Sequence, residues 1–335
     1  MPEIYDNPQS GPGTRAGNAA VAADRGATPT SPKAPAAGPS LEDKVREEKA
    51  RSLWGDAWRD LRRNPYFIIS SFLVVLLLFI ALFPGWFTSA DPRDADLTNH
   101  FLKKPELGSF FTADWFGYDN QGRSIYARVI YGTRASIQVG VGVTVIVTIV
   151  GGLMGMLAGY FGGWLDALLS RITDVFFGIP FLLGALVVLN AFTDRSVPVV
   201  IGALAFLGWT QIARVMRGSV ITTKQADYVV AAKALGAGTS RILIKHILPN
   251  AMAPVIVVAT IALGGYISAE ATLSYLGMGL AEPTVSWGID ISSASKVVRN
   301  NPHALFFPAG MLTLTVFAFI MLGDAVRDAL DPKLR

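Results

Sequence analysis

The chain has 335 residues, 51% of them apolar and only 16% charged, with mean hydropathy +0.42, formal net charge +4 and no cysteine. An average soluble protein is about 25% charged. The deficit is concentrated in six stretches of 17 or more residues that lack Asp, Glu, Lys and Arg: 66–87, 135–165, 175–193, 196–213, 246–269 and 300–323. A helix crosses a bilayer core in about 20 apolar residues, so each stretch is long enough or nearly so. This pattern excludes a soluble enzyme, a nucleic-acid binder and a disulfide scaffold. It also excludes an outer-membrane barrel, whose strands alternate over shorter segments. The sequence pI of about 9.3 is what cytoplasm-facing Lys and Arg give a membrane protein. Absence of cysteine removes thiolate metal sites and thiol nucleophiles together.

In chain order, residues 1–40 come first: 27 of them are Ala, Pro, Gly, Ser or Thr, with no apolar periodicity. Such a segment cannot bury enough surface to offset its ordering entropy, so residues 1–50 are expected to be a disordered cytoplasmic tail. It lacks the apolar core of a signal peptide. Residues 41–64 then turn charged. Leu53, Trp54, Ala57, Trp58 and Leu61 fall at helical spacing beside Arg59, Arg62 and Arg63, the signature of an interfacial amphipathic helix.

Spanning helices are expected near 66–87, 135–159, 166–190, 197–217, 250–275 and 305–326. The fold class is therefore an all-α integral membrane protein with six transmembrane helices. Lys and Arg number ten in 1–65, six in 214–245 and three in 327–335, against nine in the loops of the other side. Positive-inside logic puts both termini and the 218–249 loop in the cytoplasm. Within the second span Gly151, Gly155, Gly159 and Gly163 repeat every fourth residue, the spacing that lets a neighbouring helix approach closely. Pro180 and Pro198 predict a kink or a frayed end in the third and fourth spans. Asp166, Arg171, Asp174, Glu270 and Asp324 lie in or at the ends of spans. Charges at that depth are usually paired or face water. Arg171 and Asp174 can pair at i,i+3. Asp174 and Glu270 are candidates for a solute pathway, with an interhelical ion pair or a loop-facing group as the alternative for Glu270.

The 218–249 loop is too apolar for a solvated linker. It reads as two short helices, one capped by Asp227 and running from Tyr228 to Leu235. The other is capped by Thr239 or Ser240, runs from Arg241 to Leu248 and is stopped by Pro249. Their apolar surface needs a partner, either the membrane domain itself or a separate cytosolic protein.

The run Lys224-Gln-Ala-Asp-Tyr-Val-Val-Ala-Ala-Lys-Ala-Leu-Gly236, continuing to Ile247-Leu-Pro249, resembles the EAA coupling loop of ABC importer permeases. In that pattern Glu-Ala-Ala is followed three residues later by Gly and about twelve further on by Pro. Here Val230 stands where the motif has Glu. Other segments match the second, C-type permease subunit of dipeptide and oligopeptide importers: 116–134, 273–279, 283–288 and 322–332. The resemblance covers roughly residues 60–335 and leaves the tail outside. It implies a type-1 permease domain over 131–328, preceded over 51–130 by the interfacial helix, the first span and an extracytoplasmic loop. It also implies a bacterial inner-membrane location and four kinds of neighbour: a second homologous permease subunit, two cytosolic ABC ATPase subunits, an extracytoplasmic substrate-binding protein and the lipid bilayer. Nucleic acid is not among them. ATPase docking would fall on Asp227, Tyr228, Ala231, Ala232, Lys233, Leu235 and Gly236.

The chain itself is expected to be non-catalytic and to bind no cofactor or metal, with ATP and Mg on partner subunits. It contains no Gly-Lys dipeptide and so no P-loop, and neither an HExxH nor a GxSxG motif. His100, His246 and His303 are scattered. Relatives of this type also import nickel or oligosaccharides, so peptide is the first substrate reading and these are its alternatives. A secondary transporter is the alternative of a different class, but it leaves the long apolar loop unexplained.

Overall fold

The computed structural model describes residues 58–106 and 108–330. The expected tail and residues 41–57 of the expected interfacial helix lie outside this range. Asn64 accepts a hydrogen bond from the Tyr66 amide and Pro65 takes the first helical position, which together start α1 (Pro65–Leu82). Ser124 caps α2 (Ile125–Phe161), whose 37 residues begin ten residues before the expected boundary and run well past a bilayer core. α3 (Gly163–Phe177) and α4 (Phe181–Asn190) follow, then α5 (Val197–Thr223). The short α6 (Asp227–Ala234) leads to α7 (Leu248–Tyr275), α8 (Trp287–Ser295) and α9 (His303–Leu330). Among the described residues five helices are long and apolar enough to span a membrane, and the α3–α4 pair, bent by 83°, reaches that length only when counted as one broken span. The expected kink at Pro180 is thus a full break, because proline cannot donate and the residue before it avoids helical geometry. Pro198 merely starts α5.

The end of the bundle that holds residues 224–247 is termed proximal and the opposite end distal. α2 and α5 form the central pair. A Cβ on Gly151 would lie 2.5 Å from the Trp209 carbonyl oxygen, and one on Gly159 would lie 2.8 Å from that of Arg217. A Cβ on Gly155 would overlap the Ala213 carbonyl. Lipid gives helices no hydrophobic reason to associate, so this backbone approach supplies the dispersion contacts. Gly163, the fourth glycine of the register, does not join them. Nothing lies within 4 Å of its would-be Cβ, and its φ of +59° follows the +66° of Gly162. These two glycines turn the chain from α2 into α3, a conformation that L side chains resist.

Val139, Val143, Val147, Val200, Leu204, Ile212, Val255 and Leu273 fill the core between α2, α5 and α7. A second cluster joins α1, α2, α7, α8 and α9 around the fully buried Trp287, whose indole N–H donates to the Val129 carbonyl at 3.0 Å. α1 keeps Phe72 and Val75 about two-thirds exposed, as a lipid-facing helix requires. At the proximal end Leu61 packs with Phe67, Val326, Ala329 and Leu330, tying the start of the described chain to its finish. Trp58 stands half exposed with the Arg62 guanidinium 4.9 Å above its ring.

Candidate functional site

The proximal end carries the residues singled out by the coupling-loop pattern. α6 is preceded by Ala226 and no side chain caps it; Asp227 is its first helical residue. Asp227 is therefore not the cap, and its carboxylate acts on the helix dipole from the first turn. Val230 falls at the fourth helical position, one beyond where a capping-box glutamate would reach back. Val229 turns inward, 3% exposed, into the core cluster that also holds Ile242 and Ile247. Opposite it, Asp227, Ala231, Ala234 and Leu235 face outward, flanked by Tyr228 and Val230. Leu235 is 88% exposed, Val230 55% and Tyr228 45%. Desolvation of its ring raises the Tyr228 phenol, which stays protonated and can donate. Lys233 is exposed at the edge, and Ala232 is half-buried.

α6 closes as a Schellman motif. The Gly236 amide donates to the Lys233 carbonyl and the Ala237 amide to that of Ala232, both at 3.0 Å. Gly236 sits at φ +80°, the left-handed conformation this stop requires. Beyond it the expected separate helix does not exist. Thr239–Arg241 continues through a π-turn, Ile242–Ile247, into α7, giving one apolar helical rod from Thr239 to Tyr275. Gly238, not Thr239 or Ser240, precedes it. Pro249 does not stop the helix, because the widened π-turn before it absorbs its missing donor and α7 starts around it. α5 likewise runs on to Thr223, so the segment outside the long helices is much shorter than 218–249.

Ion pairs fix the mount of α6. Asp166 of α3 receives two hydrogen bonds from Arg217 of α5, at 2.5 and 2.7 Å. Arg214 donates to Asp174 at 2.8 Å, and its guanidinium lies 3.8 Å over the Phe177 ring. The expected Arg171–Asp174 pair is absent: Arg171 is exposed, and α5 offers Asp174 a closer partner. Lys224 reaches the Gly159 carbonyl at 2.8 Å, neutralising the C-terminal end of α2. Asp324 is exposed on the last turns of α9.

Glu270 does not line an open space. It is fully buried, accepting from Ser136 of α2 at 3.1 Å and from Ser274 at 2.8 Å. Ser274 in turn accepts from the Leu280 amide, so the carboxyl group knits α2, α7 and the distal loop together. Among the described residues Glu270 is thus neither placed on an open pathway nor ion-paired nor loop-facing: it joins helices through serine hydroxyls, as buried polar groups hold their place through hydrogen bonds.

Two clusters at the distal end, each centred on a buried arginine, are not legible in the sequence pattern. Arg123 bonds Asp119 at 2.7 Å and Glu282 at 2.6 Å, and Arg128 donates to Asp290 at 2.6 Å. The partners Glu282 and Asp290 lie 159 and 162 residues away in sequence, beyond any local pattern. Nearer the loop surface, the hydrogen bond from Lys103 holds the Asp114 carboxyl below its usual range.

A bundle of five long apolar helices and one bent helix pair, with a short exposed helix at its proximal end, has the form of a membrane permease. Residues 151–335 match the family described as binding-protein-dependent transport system inner membrane component, and residues 52–105 match the N-terminal TM domain of oligopeptide transport permease C. The oligopeptide transport system permease protein OppC of Bacillus subtilis (strain 168) is 37% identical over 301 residues, covering 90% of this chain and 96% of the relative. The dipeptide transport system permease protein DppC of the same organism is 37% identical over 282 residues, covering 84% and 86%. The glutathione transport system permease protein GsiD of Shigella flexneri serotype 5b (strain 8401) is 38% identical over 291 residues, covering 87% and 94%. The chain belongs to the permease family of binding-protein-dependent ABC transport systems and is a multi-pass inner-membrane protein.

Proposed function

We propose that this chain is one of two homologous permease subunits of an ATP-driven importer of di- and oligopeptides, with its proximal end and termini in the cytoplasm. Two cytosolic ATPases bind ATP and Mg, an extracytoplasmic binding protein delivers the peptide, and this chain contributes half of the pathway without catalysing a reaction. The relatives that transport oligopeptides, dipeptides and glutathione support the substrate class. The observation that carries the coupling role is α6: its outward face presents the small Ala231 and Ala234 and the apolar Leu235 beside Asp227, while Val229 anchors it in the core.

The mechanism follows from the mount. An ATPase groove that closes on ATP pushes Tyr228, Ala231 and Leu235, with Asp227 and Lys233 at the rim. Gly236 and the short link to Thr239 pass the motion to the Thr239–Tyr275 rod, and α5 carries it to α2 through the glycine contacts. Ala231 is exposed and touches no core, so Ala231→Arg should leave insertion and thermal stability unchanged. It should cut ATPase co-purification and peptide uptake at least tenfold in proteoliposomes. Wild-type uptake by Ala231→Arg with its ATPases bound would remove α6 from the coupling role.

A further inference from the structure

Backbone at membrane depth leaves helical geometry only where protein surrounds it or water reaches it. The break between α3 and α4 opens on a cavity of about 550 Å³ bounded also by α5 and α7. Phe177, Pro180, Phe181 and Leu207 give its apolar lining, and Gln211, Ser268 and Thr272 its polar one. Gln211 lies near the middle of the 27-residue α5, and its side chain is exposed. Neither its carboxamide nor the exposed Ser268 hydroxyl has a hydrogen-bond partner among the described residues. Against lipid, an unpartnered carboxamide at this depth costs on the order of several kcal/mol. This face therefore meets water, a polar solute or the second permease subunit and not lipid, and the cavity's open volume of about 550 Å³ favours water or solute. No carboxylate, lysine or arginine lines the cavity, and the Tyr266 hydroxyl is already committed to the Gly208 carbonyl at 3.2 Å.

We propose that this cavity is a hydrated, charge-free half-site that takes an extended peptide through its backbone amides. The assignment rests on the import reading above and specifies what the pathway wall recognises. A glutamine carboxamide presents one acceptor and two donors, the complement of a peptide unit. Ser268 adds a hydroxyl about one helical turn from Thr272 on the same face of α7, whereas Thr272 spends its own proton on the Ser268 carbonyl at 2.8 Å. The apolar patches accept apolar side chains without selecting their shape. With no fixed charge to hold a terminus, the wall binds what every peptide shares and releases it readily.

The cysteine-free sequence makes the test direct. Gln211→Cys, Ser268→Cys and, on the exposed mid-span face of α1, Val75→Cys are placed singly in the assembled importer in proteoliposomes. The probe is a water-soluble cationic methanethiosulfonate, with tetra-alanine and saturating binding protein as the solute. Positions 211 and 268 should react at least tenfold faster than position 75, and tetra-alanine should slow position 211 at least threefold. Equal rates at 211 and 75 would overturn the hydrated cavity. Fast labelling indifferent to tetra-alanine would overturn the peptide half-site. The import reading fails by a separate readout, the absence of ATPases from the purified wild-type complex.

Discussion

Glycine does two different jobs on either side of the α2–α3 corner, and substitution separates them. At Gly155 a methyl group meets the Ala213 carbonyl, which belongs to a helix that cannot move aside alone. Overpacking commonly costs 1–3 kcal/mol, and a backbone neighbour puts this site at the upper end. At Gly163 there is open space, and the penalty is only that of holding an L residue at φ +59°, about 1–2 kcal/mol. Gly155→Leu should therefore abolish recovery of folded protein. Gly163→Ala should fold with a melting temperature lowered by only a few degrees, and Gly163→Asn by less, because Asn tolerates this conformation. Scanning fluorimetry in detergent reads all three. Equal loss in Gly155→Leu and Gly163→Ala would mean that helix packing does not distinguish the two positions. The four-residue repeat was visible in the sequence; which of its members pack was not, since spacing records a helix face and says nothing of where the helix ends.

At the scale of elements, the most consequential departure from the sequence pattern is the fusion of the expected second loop helix to α7. Pro249 looks like a terminator because a proline inside a helix removes a donor and crowds the preceding turn. The π-turn at Ile242–Ile247 widens the helix just before it, so the rod continues. A stiff extension transmits displacement, and a flexible one dissipates it. Ile244 and Lys245 are exposed within the π-turn, so replacing both with glycine softens the rod without opening a cavity. Each glycine weakens the helix by about 1 kcal/mol. Ile244→Gly/Lys245→Gly should keep its ATPases and hydrolyse ATP, while peptide delivered per ATP falls at least fivefold. Uptake and hydrolysis measured on the same vesicles give that ratio, and an unchanged ratio would show that the rod's stiffness is irrelevant. Sequence periodicity found both α6 and this segment because their apolar residues recur at helical spacing. Continuity across Pro249 depends on local backbone geometry that periodicity does not encode.

For the whole molecule, the five long apolar helices and the bent α3–α4 pair were legible because a bilayer demands long uncharged runs, whereas Pro180 pointed to a kink and not to the full break. The distal architecture was not legible, because it is held by ion pairs between residues more than 150 positions apart. Arg128 and Asp290 are the decisive pair: they are 3% and 9% exposed, and Arg128 also donates to the Pro92 carbonyl at 3.1 Å. Together with Arg123, Asp119 and Glu282 they fasten the loop before α2 to the segment around α8, beside the Trp287 contact that closes α2 on α8. Removing one member of such a pair leaves the other charge buried and uncompensated, a loss of about 3–5 kcal/mol, whereas removing both is often nearly neutral. Arg128→Met should therefore destabilise the protein strongly, and Asp290→Leu similarly. Arg128→Met/Asp290→Leu should recover most of the melting temperature lost by either single variant. The double-mutant cycle, read by thermal unfolding of the purified subunit, should give a coupling of at least about 2 kcal/mol. Additive losses would mean that the two side chains act independently, and that the distal loops are held by the Arg123 cluster and the Trp287 contact alone.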